Sequence, residues 1–231
     1  MLKISEIDVY YGLVKILSNV SLHLDEGERV CILGKNGVGK TTLLRSIMGL
    51  IPPQAGTIFF DKERLSGLPP YKISQKRIAY TPQDNQLFPN LLVEENLFLA
   101  VRDKRVFGKQ EERVLSYFPV LGEKLRDRAR SLSGGQQKFL AIARALIVQP
   151  RIILLDEPSE GIQPNIAQEL GTIITLIAEE EGCGILLVEQ NRKLAHAVAP
   201  RGYVMDRGTI VAEGAMKEME ADGTICQYLT F

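Results

Sequence analysis

Three groups of residues in this chain have types and spacings suited to work on a phosphate anion. The first is Gly34-Lys35-Asn36-Gly37-Val38-Gly39-Lys40-Thr41, a match to G-x-x-x-x-G-K-[ST]. Glycines let successive backbone N–H groups turn toward an anion that a side chain would block. A helix starting near Lys40 would aim its positive end at the same anion. Lys40 would supply charge to the β- and γ-phosphates, and the Thr41 hydroxyl would ligate Mg²⁺. The expected nucleotide contacts run from Gly34 to Thr42. A chance match arises in roughly one chain of this length per hundred at average residue usage. The apolar run before the loop and the helical pattern after it make chance a poorer account still.

The second group ends the run Ile152-Ile153-Leu154-Leu155 with Asp156-Glu157. Neighbouring side chains on a strand point different ways, so two adjacent acids can do two jobs. Asp156 would hold Mg²⁺ through its water shell, and Glu157 would polarise the water that attacks the γ-phosphate. The third group is Leu132-Ser133-Gly134-Gly135-Gln136. Ser133 and Gln136 fit a capping box, which accounts for a helix start there. It does not account for two glycines in the first turn, where they disfavour helix. Their use would be to leave backbone N–H groups bare for an anion.

The elements that must position these groups follow from periodicity. Val20, Leu22 and Leu24 alternate with Ser21 and His23 as on a strand with one buried face. Val30–Leu33, Ile152–Leu155 and Ile185–Val188 are continuous apolar runs, expected of strands buried on both faces. Helices are expected over Lys40–Met48, Val93–Val101, Gln110–Phe118 and from Gly134 to about Val148, with Phe139, Ile142, Ala143, Leu146 and Ile147 as the last one's buried stripe. Another should start at Pro164 and carry Ile166, Leu170, Ile173, Ile174 and Ile177 on one side. Thr57–Phe60 reads as a strand, and Asp206-Arg207-Gly208 as a hairpin turn between Tyr203–Met205 and Thr209–Val211. Buried strands alternating with amphipathic helices indicate an α/β domain with a parallel sheet.

Bulk properties narrow the class. Lys plus Arg and Asp plus Glu number 28 each, so the globally basic surface of a nucleic-acid binder is absent. The charge-dense stretch from Arg102 to Arg130 reads as a solvated helical face. Three cysteines, Cys31, Cys183 and Cys226, have no metal-like spacing and suit a reducing compartment. No apolar run approaches the length of a transmembrane helix.

Taken in order, the phosphate loop, Leu132–Gln136 and Asp156–Glu157 resemble the Walker A, LSGGQ and Walker B elements of ABC ATPases. The resemblance covers essentially the whole chain. It implies one domain over residues 1–231: a P-loop, RecA-like α/β core with an antiparallel β-subdomain and a helical subdomain near residues 84–150. It implies ATP and Mg²⁺ as cofactors. It further implies a head-to-tail dimer, with ATP between the phosphate loop of one subunit and Ser133, Gly134, Gly135 and Gln136 of the other. The implied partners are membrane-spanning permease subunits, an indirectly engaged periplasmic or extracellular binding protein, and a second ATPase subunit. The dimer partner is expected to be a different ATPase, with a homodimer in isolation as the alternative. The implied location is the cytoplasmic face of the cell membrane.

By similarity, Tyr11 takes the place of the aromatic residue that stacks on adenine. Gln83, after Tyr80-Thr81-Pro82, resembles the Q-loop glutamine that senses Mg²⁺ and links the site to the membrane partner. Ser159–Ile162 occupies the D-loop position and ends in Ile162, where Asp is commonest. Most ABC ATPases place a switch histidine where this chain has Gln190. Gln190 offers an amide donor of similar reach without a charge that titrates near neutrality. The two histidines, His23 and His196, fall elsewhere, and His196 is expected to be structural. Gln190-Asn191, the Tyr11-Gly12 start and Leu92–Leu97 resemble the importer branch of branched-chain amino acid and urea transporters. Within it, Glu160-Gly161-Ile162-Gln163-Pro164 is more similar to the urea type. Long heptad arrays and a second phosphate loop, marks of ABC ATPases in DNA repair and translation, are missing from the sequence.

Overall fold

The continuous apolar runs become the inner strands of a parallel sheet. The computed structural model describes residues 1–101 and 103–229; Arg102, at the head of the charge-dense stretch, lies outside them. The chain begins with β1 (Leu2–Tyr11), β2 (Val14–Leu24) and β3 (Arg29–Leu33), then α1 (Lys40–Ile47). Next come β4 (Ala55–Phe60), β5 (Glu63–Arg64), α2 (Pro70–Ser74) and β6 (Ile78–Thr81). A helical stretch holds α3 (Val93–Phe98), α4 (Phe107–Tyr117), α5 (Pro119–Gly122) and α6 (Gly134–Leu146). The remainder alternates: β7 (Ile152–Asp156), α7 (Pro164–Glu181), β8 (Gly184–Glu189), α8 (Arg192–Val198), β9 (Arg201–Asp206) and β10 (Thr209–Ala215). The helices α9 (Met216–Ala221) and α10 (Thr224–Leu229) follow.

Among the described residues the strands form two sheets, an antiparallel one ordered β2-β1-β4-β5 and a six-stranded one ordered β10-β9-β3-β8-β7-β6. The pairs β6–β7, β7–β8, β8–β3 and β3–β9 are parallel, and β9–β10 is the expected hairpin. Its turn uses Arg207 at φ 42° and Gly208 at φ 80°, the left-handed pair that matches strand twist in a two-residue hairpin.

Side-chain alternation explains why the inner strands are apolar at every position. Cys31, Leu33, Ile153, Leu155, Ile185 and Leu187 pack into one core with α6, α7 and α8. Val30, Ile32, Ile152, Leu154, Leu186 and Val188 pack into the other, shared with α1 and the antiparallel sheet. Both faces are therefore covered, and neither tolerates a polar residue. In β2, Val20, Leu22 and Leu24 are buried while Ser21 and His23 are exposed, as the alternation requires.

Three helices depart from expectation, α4 by starting at Phe107 rather than Gln110 and ending at Tyr117. α3 ends at Phe98 rather than Val101, since Ala100 and Val101 close into turn hydrogen bonds to Leu97 and Phe98. On α7 the buried face is Ala167, Leu170, Gly171, Ile174, Ile177 and Ala178, with Ile166 and Ile173 only partly covered. Small residues let α7 approach α8 closely; a Cβ at Gly171 would meet the Leu194 side chain at 2.9 Å.

Candidate functional site

Parallel strands end on one edge, and the chemistry-bearing residues gather there. Leu33, the last residue of β3, is in register with Glu189 of β8, and Val188 of β8 is in register with Asp156 of β7. The phosphate loop leaves β3 at that edge. It turns through Gly37 at φ 80° and Gly39 at φ 110° and enters α1 at Lys40. Gly39 has a second reason to be glycine, because a Cβ would meet the Leu17 side chain at 2.6 Å.

Lys40 is 3% exposed and folds back over the loop. Its Nζ donates to the carbonyls of Gly34 at 2.7 Å and Lys35 at 2.9 Å, and pairs with Glu157 Oε1 at 2.9 Å. Glu157 is itself 6% exposed and sits at φ 45°, anchored by its N–H on the Val188 carbonyl. Lysine and acid, expected to act on the phosphates and on the attacking water, are here engaged with each other.

Thr41 Oγ1 donates to Asp156 Oδ1 at 3.0 Å, and Tyr80 Oη donates to Oδ2 at 2.9 Å. Burial pushes the Asp156 carboxyl above its ordinary range, and these two hydrogen bonds oppose that rise. A hydroxyl and a carboxylate side by side are hard oxygen donors and fit Mg²⁺, which keeps much of its water shell. Gln83 is not with them. Its side-chain amide donates to Glu160, and its carbonyl accepts from Lys138 Nζ at 2.7 Å. As a ligand to the same ion, Gln83 would first have to leave Glu160. Tyr11 is 45% exposed, and its hydroxyl accepts from Arg45 at 3.4 Å.

Gln190 extends from the same edge with its side chain exposed. Glu189, for which the motifs supplied no role, is the buried hub beneath it. Its carboxylate accepts from the backbone N–H groups of Ser159 at 3.0 Å, Gln190 at 3.1 Å and Asn191 at 3.1 Å. Burial raises its carboxyl above the ordinary range against those donors. Glu189 thus ties the loop after Glu157 to the loop carrying Gln190. The available signal was the one that flagged Asp156: an acid closing an apolar strand.

Ser133 and Gln136 form the expected capping box at the start of α6. Ser133 Oγ accepts from the Gln136 N–H at 3.3 Å, and Gln136 Oε1 accepts from the Ser133 N–H at 3.1 Å. The two glycines differ. A Cβ at Gly135 would meet Ile166 Cγ2 at 2.7 Å, whereas one at Gly134 would meet nothing within 4 Å. Packing within the chain explains Gly135 and leaves Gly134 unexplained. Farther along α6, Arg144 donates to the carbonyls of Gln86 at 2.8 Å and Asn85 at 3.0 Å. With Lys138 it fastens the loop after Gln83, whose Asn85 and Gln86 are at φ 59° and 45°. His196 pairs with Glu220 at 3.3 Å.

The comparisons with known proteins agree with this geometry. The sequence profile described as ABC transporter matches residues 17–160. The chain is 41% identical to the high-affinity branched-chain amino acid transport ATP-binding protein BraG of Pseudomonas aeruginosa, over 91% of each chain. It is 36% identical to the lipopolysaccharide export system ATP-binding protein LptB of Escherichia coli, over 90% of this chain and 88% of that one. Among solved structures it superposes at a TM-score of 0.83 and 26% identity on a dimeric ATP-binding cassette in a post-hydrolysis state with ADP and Pi, covering 94% of this chain and 99% of the other. The chain belongs to the ABC transporter family, as an ATP-binding subunit whose ATP hydrolysis is coupled to transport. Among the described residues no helix is long and apolar enough to cross a membrane.

Proposed function

We propose that this chain powers an importer of the branched-chain amino acid and urea class, working as one half of a head-to-tail nucleotide sandwich. The observation that carries the reading is the meeting of Lys40, Thr41, Asp156 and Glu157 at one strand edge, with Gly134 exposed on another element and free of any packing demand. Gly34 to Thr42 would hold the phosphates and Tyr11 would stack on adenine. Thr41 and Asp156 would hold Mg²⁺, which would neutralise phosphate charge, and Gln83 would join them once released from Glu160. Glu157, freed from Lys40, would take the proton of the attacking water, while Gln190 would donate a neutral hydrogen bond to the γ-phosphate. Ser133, Gly134, Gly135 and Gln136 would close the site of the neighbouring subunit.

Residues 84–150 form the proposed helical subdomain. A groove of about 640 Å³ lies between it and the core, lined by Tyr80, Phe88, Leu99, Val106, Arg144 and Val148, with no phosphate-loop residue in its walls. Phe88, Leu99, Val106 and Val148 are exposed apolar side chains, suited to a permease segment reaching from the inner membrane face. The binding protein would act through that permease, and the other ATPase of the pair would be a different chain.

The similarity to BraG supports import of branched-chain amino acids, the Glu160–Pro164 stretch supports urea, and the similarity to LptB offers export as the contrast. Reconstitution with its cognate permease subunits separates these. ATP turnover in vesicles should rise with a binding protein loaded with leucine or with urea. A rise with neither, or a complex that works without any binding protein, refutes the importer reading.

A further inference from the structure

Both oxygens of the Asp156 carboxylate are held by hydroxyls, and only one of those hydroxyls belongs to a recognised motif. Thr41 is part of the phosphate loop. Tyr80 is on β6, in register with Leu154 of β7, and reaches Asp156 Oδ2 from the neighbouring strand. A tyrosine hydroxyl has one proton to give and lone pairs to receive with. Arg45 has donors only, and its guanidinium lies against the Tyr80 hydroxyl as well as the Tyr11 hydroxyl. Arg45 therefore serves the accepting side of Tyr80, and the single Tyr80 proton is directed onto Asp156.

The geometry has a consequence for the cation. Thr41 has a competing task, since its oxygen is read as a direct ligand. When it turns to that task, Tyr80 is the hydroxyl that remains on Asp156. A phenylalanine would fill the same space and leave one oxygen of a buried carboxylate without its donor, a costly condition inside a protein. Arg45 adds a mechanical link, because one rigid guanidinium touches both the residue placed under the base and the residue that orients the metal-facing acid.

We propose that Tyr80, oriented by Arg45, is a positioning residue for the magnesium end of the site, fixing Asp156 for the cation and tying that acid to Tyr11. The proposal rests on the nucleotide-site reading above.

The test measures metal binding rather than turnover. Mn²⁺ replaces Mg²⁺, and electron paramagnetic resonance counts Mn²⁺ bound to protein loaded with a non-hydrolysable ATP analogue. Tyr80→Phe should weaken Mn²⁺ binding about tenfold, the effect of one hydrogen bond to a charged group. Affinity for the analogue in EDTA should stay as in the wild type. Arg45→Met should show a smaller loss in the same direction, and it carries the test alone if Tyr80→Phe melts early. Unchanged Mn²⁺ affinity in both variants overturns the proposal. So does an equal loss of analogue affinity in EDTA, which would make Tyr80 a packing residue of the loop. If wild-type protein gains no analogue affinity from Mn²⁺, the nucleotide-site reading fails first, on its own control.

Discussion

Replacing Glu157 by glutamine should tighten ATP binding before any chemistry takes place, because on the proposed reading ATP separates Lys40 from Glu157 as it binds. The pair is 2.9 Å apart with both side chains nearly buried. At an effective dielectric constant of about 20, unit charges at that distance attract by about 6 kcal/mol. Most of that is returned when the separated charges regain solvation or meet phosphate. The Gly34 and Lys35 carbonyls also hold Lys40, at 2.7 and 2.9 Å, so Glu157 is not its sole anchor. What remains is of the order of one charge-assisted hydrogen bond, about 1–3 kcal/mol. Glu157→Gln keeps the shape and loses the charge, so its affinity for a non-hydrolysable analogue should rise about tenfold. The nucleotide-free variant should melt earlier, since Lys40 has lost its counter-charge, and the analogue should raise its melting temperature more than it raises the wild type's. A non-hydrolysable analogue removes slower turnover as an explanation. Equal affinities, measured by equilibrium dialysis at one salt concentration, would show that the Lys40–Glu157 pair does not oppose nucleotide.

Two further outcomes follow from particular contacts. Gly134→Ala adds a methyl into open space and improves helix propensity by up to about 1 kcal/mol. Its melting temperature should hold or rise while ATP-dependent dimerisation and turnover fall; Gly135→Ala, which meets Ile166, should lose stability as well. Unimpaired turnover in Gly134→Ala would remove that glycine from the partner's site. Separately, Arg201 donates to both oxygens of Glu28 at 2.7 and 2.9 Å. Burial would raise the Glu28 carboxyl, but these bonds prevail and hold it below the ordinary range. A carboxyl depressed by folding stabilises fully above its unfolded range and loses that contribution as pH falls through the depressed value. Arg201→Met should therefore cost about 2–3 kcal/mol near pH 7. The gap should narrow below about pH 4.3, read from urea melts, and a gap independent of pH would refute the assignment.

The sequence by itself determined the kind of site and much of the scaffold, because those signals are local. A phosphate loop works through adjacent backbone groups, a capping box through residues three apart, and a doubly buried strand through a contiguous apolar run. Hence Gly34–Thr41, Ser133–Gln136 and the strands ending in Leu33, Asp156 and Glu189 were all legible along the chain. Tertiary structure decided which distant side chains meet. Lys40 and Glu157 are in contact only because β3, β8 and β7 lie side by side in a particular register. Glu189 is a hub only because two loops converge on its carboxylate, and Tyr80 matters only because β6 is the neighbour of β7. Likewise, only packing against Ile166 distinguishes Gly135 from Gly134. A residue's type and neighbours in sequence limit what it can do, but hydrogen bonds act over about 3 Å, and the fold alone brings distant residues within that range.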